Sequence, residues 1–412
     1  MRVGIVGGGV VGLAIAKQLA SAGAEVVVVE RDVCGRAASH GNAGWVTPIL
    51  SVPLSAPGVR AKALRWMIDP SSPLLVRPRL DPAFLLWCLR FARNCAENRF
   101  EQGARALLAL NATTLDAYDR LEADGVRFEM HDEGLLLAAL DERELEKEWK
   151  LCMWLARLGY RGDVELLDGS ALRLREPAIS NAVAGAIYVR NERHVRPESL
   201  TAGLALWLRQ AGAEFAEHTA VERIVPTRHG WSLQGSGPDP IEVDRVVVAS
   251  GVWTRSVLRQ FGTKIPLEGA KGYSVTFDAR GPVPRHPVML LEAKVGVSPF
   301  NDSLRIAGTL ELAGENLKLD ARRIGAIIHA ARRYMTCDFG SGGDEWAGLR
   351  PVLPDSLPVI GPVPDADGVF VATGHAMLGV TLAPATAEAL APLVLDDEIR
   401  PALAPFRVDR RY

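Results

Sequence analysis

Residues 3–6 form an uninterrupted apolar run suited to a buried strand, residues 10–21 repeat apolar positions at helical spacing, and residues 26–29 are apolar again before the carboxylate of Glu30. Gly7, Gly9 and Gly12 fill the first junction at G-x-G-x-x-G spacing. Strand, glycine turn, helix, strand and closing acid together predict a βαβ unit for an adenine dinucleotide. Gly7 permits the tight exit from the strand, Gly9 lets backbone amides approach a pyrophosphate, and Gly12 lets the helix pack closely. The helix start at Val10 and Val11 offers unpaired N–H groups and the positive end of a dipole to that anion. Glu30 stands where a carboxylate accepts both hydroxyls of an adenosine ribose, and it would repel a 2′-phosphate.

The pattern then changes. Seven prolines between Pro48 and Pro82 predict an extended segment crossing a domain boundary. Residues 83–121 return to helix, with Phe84, Trp87, Cys88, Phe91 and Cys95 and then Leu107, Leu108, Leu115, Tyr118 and Leu121 on one face. A hairpin is expected from 128–130 and 135–140 around Asp132-Glu133-Gly134, followed by a helix at 142–158. Further on, 197–212 reads as a helix and 214–218, 221–226 and 241–249 as strands. Residues 271–278, 288–291, 295–298 and 304–310 alternate as in an antiparallel sheet. Helices at 319–334 and 383–394 close the chain. The predicted class is α/β: a Rossmann-like dinucleotide domain of the glutathione-reductase type, interleaved with an α+β substrate domain on an antiparallel sheet. The expected division is 1–80, 165–260 and 341–412 for the cofactor domain, and 81–164 and 261–340 for the substrate or cap domain.

Composition narrows the function classes. The 412 residues are 48% hydrophobic with a formal net charge of -2, which gives no electrostatic footprint for nucleic acid and at most peripheral membrane contact. No apolar run reaches the length of about 18 residues that spans a bilayer. The five cysteines are scattered without a C-x-x-C pair, which argues for a reducing compartment and against a zinc site or iron–sulfur cluster. Lys17 interrupts the first apolar segment and the glycines stand at binding spacing, so the N-terminus is read as mature and cytoplasmic rather than as a secretory leader.

The continuation decides which dinucleotide. A nicotinamide enzyme would continue the βαβ alternation, whereas here small and polar residues, Ser39, His40, Gly41, Asn42, Ala43 and Gly44, follow Glu30. Downstream stand VVVASGVW at 246–253, KGYS at 271–274, RIAGTLEL at 305–312, GLRP at 348–351 with PVIGP, and TGHAMLGVT at 373–381. In this order they make the chain resemble the FAD-dependent D-amino-acid oxidase superfamily, and within it the D-amino-acid dehydrogenase branch. The resemblance implies non-covalent FAD, with its adenosine over Gly7–Gly12, Glu30 and Arg31, and its adenine held through the backbone of Val221. Ala249, Ser250, Gly251 and Trp253 would flank the cofactor. Its ring would lie against residues 40–44, with its pyrimidine end near Gly374, His375, Leu378, Gly379, Val380 and Thr381. The last loop leads into a helix, whose dipole would favour the negative charge that a flavin gains on reduction.

By the same match Arg350 supplies the planar fork for a substrate carboxylate. Tyr273 is either a second donor to that carboxylate or a strand tyrosine with a satisfied hydroxyl. His375 steers flavin or substrate, or hydrogen-bonds within its loop. Lys271 is read as ordering the flavin edge or its loop rather than as a base, and Trp45, Trp66 and Trp87 as packing or as a docking surface for an electron acceptor. The expected reaction is oxidation of the CH–NH bond of a D-amino acid by hydride transfer to flavin N5, then hydrolysis to a 2-oxo acid and ammonia. The alternative is a secondary-amine substrate such as sarcosine, or glycine, D-proline or D-hydroxyproline. The implied partners are the amino acid and an electron acceptor, whether quinone, another carrier or oxygen; homo- or hetero-oligomerisation stays open.

Overall fold

The computed structural model describes residues 1–59, 74–77, 79–237, 239–279, 282–339 and 342–412. One sheet runs in the order Glu214–Ala216, Glu25–Val29, Arg2–Val6, Arg245–Val248, Val369–Thr373, Val359–Pro362. All its pairings are parallel except the last. Its strands are valine-rich because both faces need cover. On one face Val3, Ile5 and Val28 pack with Leu13, Ile15 and Leu19 of the Val10–Ser21 helix. On the other, Val27, Val29, Val246 and Val248 lie with Ile224, Leu233 and Val243 of a small antiparallel sheet, Val221–Pro226, Trp231–Gly235 and Ile241–Val243. The Gly379–Asp396 helix is apolar on nearly every face and correspondingly buried.

The larger sheet runs Asp344–Val352, Glu268–Asp278, Ser303–Leu312, Val295–Pro299, Val288–Leu290, Leu135–Ala139, Gly185–Val189, Val164–Asp168, with Leu74–Val76 beside Ser303–Leu312. It is mixed rather than purely antiparallel, since Leu135–Ala139 and Leu74–Val76 each join in parallel. The expected hairpin at 128–140 does not form. Met130–His131 pairs with Arg193–Val195, while Leu135–Ala139 enters the middle of the large sheet. All five residues of Leu135–Ala139 are buried, so this strand needs neighbours and cover on both sides, which a two-stranded hairpin cannot supply.

The single strand expected at 241–249 divides at Asp244, whose backbone N–H donates to the Arg2 carbonyl at 2.8 Å as the chain passes from the small sheet to the parallel one. The helical stretch 83–121 is three helices, Pro82–Asn94, Glu97–Asn111 and Thr114–Ala123. By sheet membership, the strands Val164–Asp168, Gly185–Val189 and Asp344–Val352 lie in the larger sheet, although most of their residues fall in segments grouped above with the cofactor domain. Residues 60–73 and 78 of the proline-rich crossing, Trp66 included, lie outside the described residues. Trp87 is buried and Trp45 hydrogen-bonds Ser298 at 2.8 Å, so both pack. The five cysteines are free, and no described helix is long and apolar enough to cross a membrane.

Candidate active site

One continuous cleft of about 310 Å³ runs from the glycine turn to the edge of the large sheet, within the roughly 300–1,000 Å³ of a small-ligand pocket. At one end Gly7 has φ +115°, and a Cβ there would stand 2.7 Å from the Ala249 carbonyl oxygen; at Gly12 it would stand 2.0 Å from that of Gly7. Strand, turn and helix therefore meet at backbone contact, as the glycine spacing predicts. Gly7, Gly9, Val10, Val11, Glu30, Arg31, Val221, Ala249, Ser250, Gly251 and Trp253 all line the cleft, while Gly12 lies behind it. The Val10 N–H donates to Ser39 Oγ at 2.9 Å, and Glu30 Oε2 accepts from the Gly8 N–H at 2.7 Å. The Arg31 guanidinium lies 3.6 Å over the Trp253 ring, a flat cationic surface beside Val221 at the cleft wall.

Further along, the 39–44 segment is clamped from outside. Gly41 N–H donates to Glu198 Oε1 at 2.9 Å, Ser274 Oγ donates to the Gly41 carbonyl at 2.6 Å, Arg305 Nη1 to that of Asn42 at 2.9 Å and Ser298 Oγ to that of Ala43 at 2.7 Å. Glu198 and Arg305 also pair with each other at 2.9 Å. Ser39 and Asn42 reach the cleft, whereas His40, Gly41, Ala43 and Gly44 form its support. Burial lowers the pKa of the His40 imidazole, which stands 3.7 Å from Glu198. From the far wall the N-terminus of the Gly379–Asp396 helix opens onto the cleft through Gly379 and Val380. Gly374, Leu378 and Thr381 stand just outside: Gly374 packs against Leu353, Leu378 caps the helix, and Thr381 Oγ1 donates to the Trp45 carbonyl at 2.9 Å.

The far end of the cleft is built on two antiparallel strands, Glu268–Asp278 and Asp344–Val352. The register pairs Ala270 with Arg350, Gly272 with Gly348 and Ser274 with Trp346. Because side chains alternate along a strand, Trp346, Gly348 and Arg350 share a face. Trp346, Gly348 and Arg350 line the cleft. Arg350 Nη1 donates to the Thr309 carbonyl at 3.0 Å, and no carboxylate among the described residues pairs with it. Burial lowers its pKa to about 10, so it stays charged at neutral pH. His375 lines the cleft with Nε2 3.1 Å from Thr386 Oγ1; burial lowers its pKa to about 3, leaving a neutral imidazole.

Tyr273 is not at the cleft. The same alternation turns it to the opposite face, where its buried hydroxyl donates to Glu311 Oε2 at 2.6 Å, so the expected second carboxylate donor is occupied elsewhere. Lys271 shares that face and donates to the Lys318 carbonyl at 3.0 Å, which supports the loop rather than the cleft. Trp346, which no site expectation includes, was within reach of the period-two pattern that starts from Arg350. Ser274 and Arg305 lie in the motifs KGYS and RIAGTLEL without any local sign of this role, and Glu198 and Ser298 carried no signal.

The donor set fits FAD: a glycine turn opening onto a helix N-terminus, the Glu30 carboxylate at the end of the second strand, a flat cationic wall and a second helix N-terminus along one continuous cleft. The comparisons agree. The model of the family described as "FAD dependent oxidoreductase" (DAO) matches residues 2–393. A D-amino acid dehydrogenase of Xanthobacter autotrophicus is 33% identical over 96% of this chain and 95% of its own length. One of Chromohalobacter salexigens is 32% identical over 99% of each. Among solved structures, glycine oxidase from Geobacillus kaustophilus superposes with a TM-score of 0.78 at 25% identity, covering 100% of this chain and 99% of the other. The chain belongs to the DAO family and is an FAD-dependent oxidoreductase.

Proposed function

We propose that the protein oxidises the CH–NH bond of a D-amino acid to an imino acid, which water hydrolyses to a 2-oxo acid and ammonia. The observation that carries this reading is Arg350, a guanidinium at the end of the cofactor cleft held by a carbonyl rather than by an acid. A carboxylate placed there completes its ion pair through the planar fork. The dehydrogenase names of the full-length relatives support the D-amino acid, and the branch name supports a quinone or other carrier over oxygen as acceptor.

Glu30 would hold the ribose, the amides of Gly9 and Val11 the pyrophosphate, Val221 with Arg31 and Trp253 the adenine, the 39–44 segment the ring, and Gly379 and Val380 the pyrimidine end. Bound there, FAD supplies the two-electron acceptor that takes the Cα hydrogen as hydride. The protein's own work is positioning: Arg350 fixes the carboxylate, and Trp346 with the neutral His375 narrows the site and displaces water. Among the described residues the titratable side chains lining the cleft are Glu30, Arg31, Arg350 and the neutral His375, which favours loss of the amine proton to solvent rather than to a base near Arg350. None of the cysteines lines the cleft, which supports non-covalent flavin. The cofactor-holding part is proposed as 1–80, 165–260 and 341–412 and the substrate part as 81–164 and 261–340, with sheet membership favouring transfer of 164–189 and 344–352 to the latter.

The likeness to glycine oxidase favours a second reading, a secondary amine or glycine as substrate. Anaerobic bleaching of the flavin by a panel of D-amino acids, sarcosine, glycine, D-proline and D-hydroxyproline separates the two. Fast bleaching by primary D-amino acids is expected; bleaching by secondary amines or glycine alone would replace the first reading with the second. Failure of every amine to bleach bound FAD would leave a flavoprotein without this activity, and oxygen uptake at the turnover rate would make it an oxidase.

A further inference from the structure

This inference deepens the reading of Arg350 as the carboxylate anchor and rests on it. Opposite Gly272 the ladder between Glu268–Asp278 and Ser303–Leu312 slips: Lys271 pairs with Glu311 and Tyr273 with Gly308, leaving Thr309 and Leu310 against the single Gly272. Bulges of this kind re-aim a local group at the cost of one ladder step. Thr309 sits at φ +62°, a left-handed conformation that a β-branched residue adopts only under constraint, and its buried hydroxyl finds no hydrogen-bond partner among the described residues. Its carbonyl receives Arg350 Nη1. The guanidinium also lies against Gly272. A Cβ on Gly272 would stand 2.0 Å from Nη1 and 2.3 Å from Cζ of Arg350.

We propose that Gly272 and Thr309 are positioning residues for substrate recognition: the bulge presents a neutral carbonyl that orients the Arg350 fork, and the missing side chain of Gly272 is the seat in which that fork lies flat. A carbonyl fixes direction without neutralising charge. A carboxylate in its place would pair with Arg350 and compete with the substrate. Because the colliding group is the end of a flexible side chain, Gly272→Ala displaces Arg350 without disrupting the backbone around it.

The test uses FAD-loaded protein and propionate, a carboxylate with no oxidisable amine, titrated by calorimetry. Gly272→Ala should weaken propionate about tenfold or more and raise the amino-acid KM by a similar factor, with kcat at saturation and bound-flavin absorbance little changed, as expected when a charged contact is misaligned. In an Arg350→Leu background the same substitution should add less than about twofold, since its effect passes through the guanidinium. Propionate bound by Gly272→Ala within twofold of wild type, while Arg350→Leu loses it, overturns the proposal; full affinity in Arg350→Leu overturns the anchor reading itself. Thr309→Gly is the independent variant: relief of the strained φ should leave the melting temperature unchanged or higher, yet the loosened carbonyl should weaken propionate about threefold. A stable Thr309→Gly protein with wild-type affinity would also overturn the assignment.

Discussion

At the glycine-turn end of the cleft the polypeptide offers its backbone, and at the Arg350 end it offers one side chain. The first end consists of amides around Gly9 and a carboxylate at Glu30 already fixed by the Gly8 N–H at 2.7 Å, so its geometry follows once strand and helix pack. The second consists of a guanidinium whose position depends on the register of three strands, on a bulge at Thr309 and on an empty position at Gly272. A backbone site is hard to shift and easy to occlude. A side-chain site is easy to shift and can be lost without loss of the fold.

That contrast can be broken by substitutions that hit one end alone. The largest effect belongs to Arg350→Leu, expected to remove about 3–4 kcal/mol of transition-state stabilisation, or on the order of 10² to 10³ in kcat/KM, because the substrate carboxylate is stranded in a desolvated site. FAD content, read from the visible absorbance of purified protein, should not change; a loss of flavin would join the two ends and end the comparison. Gly12→Ala is the converse. Its Cβ would meet the Gly7 carbonyl oxygen at 2.0 Å, a backbone clash expected to cost about 1–3 kcal/mol of stability and to release the flavin, visible as a lower melting temperature and colourless protein.

The seam between the ends is the Glu198–Arg305 pair that clamps the 39–44 segment. Glu198→Gln should cost about 1 kcal/mol by removing a charge-assisted bond, and should shift the flavin absorbance band while leaving propionate affinity within about twofold. An unmoved spectrum would show that the clamp does not reach the ring. The smallest effect is a pH dependence. Burial holds the folded-state pKa of His375 at about 3, so the unfolded chain takes up a proton first as pH falls below about 6.5, and stability is lost toward acid pH. Between pH 7 and 5.5 the wild type should lose about 1 kcal/mol more than His375→Gln, measured by denaturant unfolding. Equal losses would mean that His375 carries charge when folded and is available for proton transfer.

Much of the first end was legible because each requirement is local: Gly7, Gly9 and Gly12 fall within one turn, and Glu30 ends the strand that the turn precedes. Much of the second was legible only through family motifs. Arg350 was found in GLRP, but Tyr273, taken from KGYS, faces Glu311, since one residue along a strand reverses the side-chain direction. The hairpin expected around Asp132-Glu133-Gly134 failed for a related reason. Turn residues favour reversal, but the wholly apolar Leu135–Ala139 takes two strand partners instead. Ser274 and Arg305 fall within the motifs KGYS and RIAGTLEL, yet nothing local shows that they, or Glu198 and Ser298, hold the 39–44 segment, because each acts on it from a different part of the chain.

The amino-acid sequence by itself determined a βαβ unit with the glycine turn, helix start and closing carboxylate that suit a dinucleotide, because these depend on short-range spacing and residue chemistry; Arg350 entered only through a family motif. Only the tertiary structure decided which face each strand presents, where the ladder bulges and what closes around the guanidinium. Those depend on register between distant segments, and register is settled by which surfaces must be buried together.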